Sequence, residues 1–139
     1  MNYYLIAAGC LSALAALMHV GCIVFGAPWY RFFGAGEQMA SMAEQGLIKP
    51  TIITSFIVVV LSIWSLYAFS AAGLIIRLPL LRFALIGITT VYIVRGVAGF
   101  YFVSSPMGRS PEFWVFSSVI CLTIGVLHLI GLKQLWSSL

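Results

Sequence analysis

Val91-Tyr92-Ile93-Val94-Arg95-Gly96-Val97-Ala98-Gly99-Phe100-Tyr101 sets one arginine in the middle of an otherwise apolar run. Four such runs can be drawn, roughly over residues 3–26, 51–76, 80–104 and 113–136. Each reaches the ~20 residues that a bilayer-spanning helix needs. The hydrocarbon core offers a backbone no hydrogen-bond partners, so each run must satisfy itself as a helix. The reading is an all-α, integral-membrane bundle of four transmembrane helices, in a single domain.

Composition points the same way. Of 139 residues, 63% are hydrophobic and 7% charged, and the mean hydropathy is +1.13; soluble domains carry about 25% charged residues. The net charge of +4 comes from single Lys and Arg residues scattered along the chain. With no basic, aromatic-interleaved face, nucleic acid is excluded as a partner, and the lipid bilayer is the expected one. Cys10, Cys22 and Cys121 lie inside the apolar runs without C-x-x-C or Cys-His spacing. They read as small buried hydrophobes, and neither a metal nor a cofactor is expected. The first run lacks a basic head and is followed by further spans, so it is expected to be a retained helix.

Pro28, Pro50, Pro79, Pro106 and Pro111 fall between the runs, where helix breakers belong. The one long connection, residues 27 to 50, opens with the aromatic group Trp29, Tyr30, Phe32 and Phe33, an expected interfacial anchor. Its residues 36–46 have helical spacing, with Glu37, Ser41 and Glu44 on one face and Met39, Met42, Ala43 and Gly46 on another. They predict a short amphipathic helix between the first and second spans, either floating at the membrane surface or folded down as a lid. The second connection carries Arg77 and Arg82 and no acid, which the positive-inside rule places in the cytoplasm together with both chain ends. Small and polar residues share faces: Ala8, Ser12, Ala15, Ala16, His19 and Cys22 on the first span; Thr51, Ser55, Ser62 and Ser65 on the second; Ser117, Cys121, Gly125 and His128 on the fourth. Such stripes let membrane helices approach closely and are expected to meet inside the bundle.

An ionised guanidinium at bilayer depth costs ~2.5–3.5 kcal/mol on insertion scales, so Arg95 should face protein or water and hold a partner. Tyr92, Arg95, Gly99 and Phe102 share one face of the third span. His19 lies ~10 Å below the same membrane surface at 1.5 Å per residue, and could share a cavity with them. The three acids, Glu37, Glu44 and Glu112, all lie in connections on that side; Glu37 or Glu44 is the expected counter-charge, with Glu112 as the third option. His128 sits ~10 Å away from His19 in depth, awkward for a shared haem.

The expected site is therefore a polar pocket lined by His19, Tyr92 and Arg95 and approached by Glu37 and Glu44. Its expected function is binding a small amphipathic, lipid-like or quinone-like ligand, with transport or modification as extensions. Two alternatives stay open. One is a subunit whose small-residue faces dock a second copy or another membrane protein; the other is a small isomerase or redox enzyme. No catalytic residue is assigned. In size and four-span plan the chain resembles the small bacterial membrane proteins of the DoxX-like kind, with Tyr92-Ile93-Val94-Arg95-Gly96 as the nearest local match. The resemblance implies a four-helix fold and a bacterial inner-membrane location.

Overall fold

The computed structural model describes residues 1–105 and 109–139, so Pro106, one of the five expected breakers, lies outside the described residues. The described residues form six α-helices in order: α1 (Tyr3–Phe25), α2 (Ala27–Phe32), α3 (Glu37–Glu44), α4 (Lys49–Ala72), α5 (Leu81–Tyr101) and α6 (Pro111–Leu135). The long ones, α1, α4, α5 and α6, are each apolar and long enough to cross a membrane. Large apolar side chains such as Leu17, Phe56, Val97 and Phe116 stay exposed on all four, a surface that water would not tolerate and lipid does. The protein is a multi-pass membrane protein with a four-helix bundle.

Three of the prolines open helices rather than separating them: Pro28, Pro50 and Pro111 each sit in the first turn of α2, α4 and α6. The ring's fixed φ suits that turn, and the missing N–H would have had no partner there. At the other end of α4, apolar residues continue to Ile76, yet the helix stops at Ala72. Gly73 turns left-handed at φ 90° and the Leu74 N–H returns to Phe69 O at 3.0 Å, which closes the helix whatever the hydropathy.

Small residues set the packing. α1 lies along α4 and α5 along α6, with α1 also against α6. A Cβ on Gly9 would lie 2.7 Å from the Phe69 ring, and Ser65 Oγ donates to Gly9 O at 2.8 Å. In the second pair, a Cβ on Gly125 would lie 2.8 Å from the Ile93 side chain, and one on Gly96 would run into Leu122. Close backbone approach replaces the hydrophobic drive that lipid cannot supply between helices. The expected stripe on the second span is only partly right. Ser65 is buried, but Thr51 and Ser62 face outward, and Thr54 is the buried polar residue nearer the start of α4.

The two ends of the bundle differ. At one, α2 and α3 fold back as a cap: Tyr30, 3% exposed, reaches Thr54 Oγ1 at 3.0 Å, and Ala40 is fully buried against Cys22 and Ala27. The amphipathic helix is thus packed on the protein rather than floating. At the other, Asn2 caps α1 by accepting from Leu5 N and donates to Gln134 Oε1 at 2.9 Å. Ser70 and Tyr67 pin the α4–α5 connection, Tyr67 OH donating to Pro79 O at 3.0 Å. This end carries Arg77 and Arg82.

Candidate functional site

Arg95 sits on the seam between α5 and α6, in the half of α5 nearer the cap. Helical spacing on α6 brings Trp114, Ser117 and Ser118 to one patch facing it. Arg95 Nη2 donates to Ser117 Oγ at 3.0 Å, and the guanidinium carbon lies 5.0 Å from the Trp114 ring centre. A cation over an indole face in a desolvated setting gains ~2 kcal/mol or more. Nη1 is buried and has no hydrogen-bond partner among the described residues, and Ser118 Oγ beside it has none either. Gly99 clears the space for both: a Cβ there would lie 2.6 Å from Arg95 Nη1 and would collide with Ser118 Oγ. The arrangement is a guanidinium with one arm fixed and one arm idle, with no ion pair to an acid among the described residues.

The expected counter-charges are engaged elsewhere. Glu37 accepts from Arg31 at 2.6 Å and Glu44 at 2.5 Å, all three exposed at the surface of the cap. Hydrogen bonds from Arg31 hold both carboxyls below the usual carboxylate range. The physical reason is proximity: the α2–α3 turn delivers Arg31 to its own acids, where water already solvates the pair, whereas reaching Arg95 would require burying a carboxylate. The cap does touch the start of α6 through another cation, Arg109, whose Nε donates to Ala35 O at 3.2 Å while its guanidinium lies 5.2 Å from the Phe113 ring.

Tyr92 and His19 are placed apart from Arg95 in bonding. Tyr92, 5% exposed, shares a 2.7 Å hydrogen bond with Ser12 Oγ on α1 and stacks on His128 with ring centres 5.4 Å apart. His128 is fully buried; its Nδ1 donates to Ile124 O at 2.9 Å, leaving Nε2 without a hydrogen-bond partner among the described residues. His19 spends Nδ1 on Ala15 O at 2.7 Å. No hydrogen bond or ring contact joins His19, Tyr92 and Arg95 among the described residues. The sequence reading therefore merged two polar places: the Arg95 seam and a deeper knot of Ser12, Tyr92 and His128. Ser117 and His128 stood on one expected stripe of the fourth span. Trp114 and Ser118, the remaining neighbours of Arg95, carry no separate signal in the sequence.

Comparison with known proteins returns no matching family model, and no curated protein or solved structure is significantly similar to the chain.

Proposed function

We propose that this membrane protein binds a small amphipathic molecule with an anionic or carbonyl head, a lipid or quinone, and that Arg95 is the anchor for that head. The observation that carries the reading is the idle arm of Arg95: Nη1 is buried without a partner among the described residues, although an unsatisfied charged group inside a membrane is costly. An oxygen of a bound head would complete the set that Ser117 and Trp114 begin. The setting assigned to it is a bacterial inner membrane, in line with the DoxX-like plan. The Arg77–Arg82 connection then faces the cytoplasm by its uncompensated charge, and the cap faces outward.

Methionine in place of Arg95 removes the charge and keeps a long apolar side chain. Replacing a buried charge in this way is often neutral or stabilising. Arg95→Met should keep or raise thermal stability in mild detergent while losing a lipid or quinone that wild type carries through purification, read by mass spectrometry of the extracted material. Unfolding would make Arg95 structural, and unchanged bound molecules would remove it as their anchor. For orientation, cysteine at Ser110 should react with an impermeant thiol reagent outside intact cells and cysteine at Leu78 should not; the reverse pattern inverts the protein.

A further inference from the structure

The end of the bundle opposite the cap presents a different set of groups, none of them used by the Arg95 site. An open cleft of about 450 Å3 is lined by Arg77, the turn Leu78–Leu81, Arg82 and Phe83. Its charge is one-sided, because Glu37 and Glu44 lie on α3 in the cap and Glu112 lies in the first turn of α6 at the same end. Arg77 Nη1 donates to Ser138 O at 3.2 Å and Arg82 Nη2 to Trp136 O at 3.2 Å; both donate to carbonyls, and neither pairs with a carboxylate among the described residues. Arg82 Nε is buried with no hydrogen-bond partner among the described residues. The cleft also receives the start of α5, which follows Leu80 in a left-handed conformation at φ 55° and has no side-chain cap. That helix end adds its positive field to the two guanidinium groups.

The cleft does not stand alone. Beginning one residue further along α5, an almost purely apolar groove of about 230 Å3 runs between α4 and α5, lined by Trp64, Tyr67, Ala84, Gly87 and Val91. It is open at Gly87, where a Cβ would meet nothing within 4 Å. Of the seams in the bundle that bring successive spans together, this is the loosely packed one, since α4 lies mainly against α1 and α5 against α6. The two are neighbours, since Tyr67 of the groove bonds Pro79 O of the cleft, and a cationic cleft beside an apolar groove has the polarity profile of one ligand, an acidic glycerophospholipid.

We infer that an acidic phospholipid docks at this end, its phosphate between Arg77 and Arg82 and one acyl chain in the α4–α5 groove. Charge complementarity selects the head, and the groove distinguishes a lipid from a free anion. The site is independent of Arg95, so a silent Arg95→Met sinks the earlier reading alone, and the variants below bear on this one alone.

The test uses purified protein in nanodiscs of equal phosphatidylglycerol and phosphatidylcholine, with lipid retained on the protein read by native mass spectrometry. Wild type should hold phosphatidylglycerol in preference. Arg77→Gln/Arg82→Gln should lower that retention roughly tenfold or more, as two juxtamembrane charges are lost. Gly87→Phe, which fills the groove without touching the head site, should lower it as well. Because Arg82 also bonds the Trp136 carbonyl, Arg77→Gln alone is measured beside the double variant, and it should show an intermediate loss at unchanged thermal stability. Equal retention of the two lipids by wild type, or a double variant that retains phosphatidylglycerol normally, overturns the inference. So does a silent Gly87→Phe with phosphatidylglycerol displaced by millimolar inorganic phosphate, which would mark a plain anion site.

Discussion

Arg31 in the cap and Arg95 on the α5–α6 seam lie toward the same end of the bundle and meet opposite fates. Arg31 is exposed and holds two carboxylates, Glu37 and Glu44, through hydrogen bonds. Arg95 is half-buried and holds one hydroxyl and one ring face. The lesson is that acids go to the nearest cation that lets them stay in water. An ion pair at the surface gains little, but it requires little desolvation, so it forms in preference to a stronger attraction that would bury a carboxylate. Arg95 is then left to find its partner outside the protein's own acids.

The seam and the cap should respond to mutation on different scales. The largest effect is expected at Gly99, where any Cβ collides with Ser118 Oγ. Gly99→Leu should cost about 1–3 kcal/mol by overpacking, seen as a lower midpoint of thermal unfolding in detergent, whereas Gly87→Ala, into open space, should leave the midpoint unchanged or higher. Equal effects of the two would mean that the seam is not closed as described.

One step down is the bond between Tyr92 and Ser12, which ties α5 to α1 away from Arg95. A double-mutant cycle of Tyr92→Phe and Ser12→Ala should give a coupling near ~0.6 kcal/mol and no more than ~1.7, the range found for hydrogen bonds between membrane helices. Coupling between Tyr92→Phe and Arg95→Met should be absent, because the two residues share no hydrogen-bond or ring partner among the described residues; a clear coupling would reunite the two polar places into one pocket.

How much of this was legible in the sequence follows from what periodicity can carry. The four spans were, since length and hydropathy fix them, and so was the amphipathic α3. Helix ends were legible less well: α4 ends where Gly73 adopts a left-handed turn, and hydropathy continues past it. Arg95 stood out because a charge in an apolar run is conspicuous. Its neighbours did not, because Trp114 and Ser118 look like any other members of α6, and only the close approach permitted by Gly96, Gly99 and Gly125 brings α6 against α5. The pairing of Glu37 and Glu44 with Arg31 turned on the fold of a connection: α2, Ala27–Phe32, is a helix that an aromatic run containing Pro28 did not announce.

The smallest expected effect belongs to the cap. Its carboxyls have folded values below their ordinary range, so whatever the Arg31 pair contributes is present above the unfolded carboxylate value and is lost as pH falls through the lowered folded values. Cys22, buried beneath the cap, is the reporter. In a Cys10→Ala/Cys121→Ala background, Arg31→Gln should speed the modification of Cys22 by a small methanethiosulfonate at neutral pH. The ratio to Arg31 protein should fall toward one in acid, when protonation has already released the pair. A ratio independent of pH would show that the cap is held by Tyr30 and Ala40 alone.

The central claim, that Arg95 completes its hydrogen bonding with a molecule that is not protein, is tested most directly by an experimental structure determined with the protein kept in native lipid. The account predicts non-protein density within hydrogen-bonding distance of Arg95 Nη1, on the α5–α6 seam beside Ser117 and Trp114. Nη1 bonded to a side chain or backbone carbonyl of the protein itself, with only acyl tails along the seam, would contradict it.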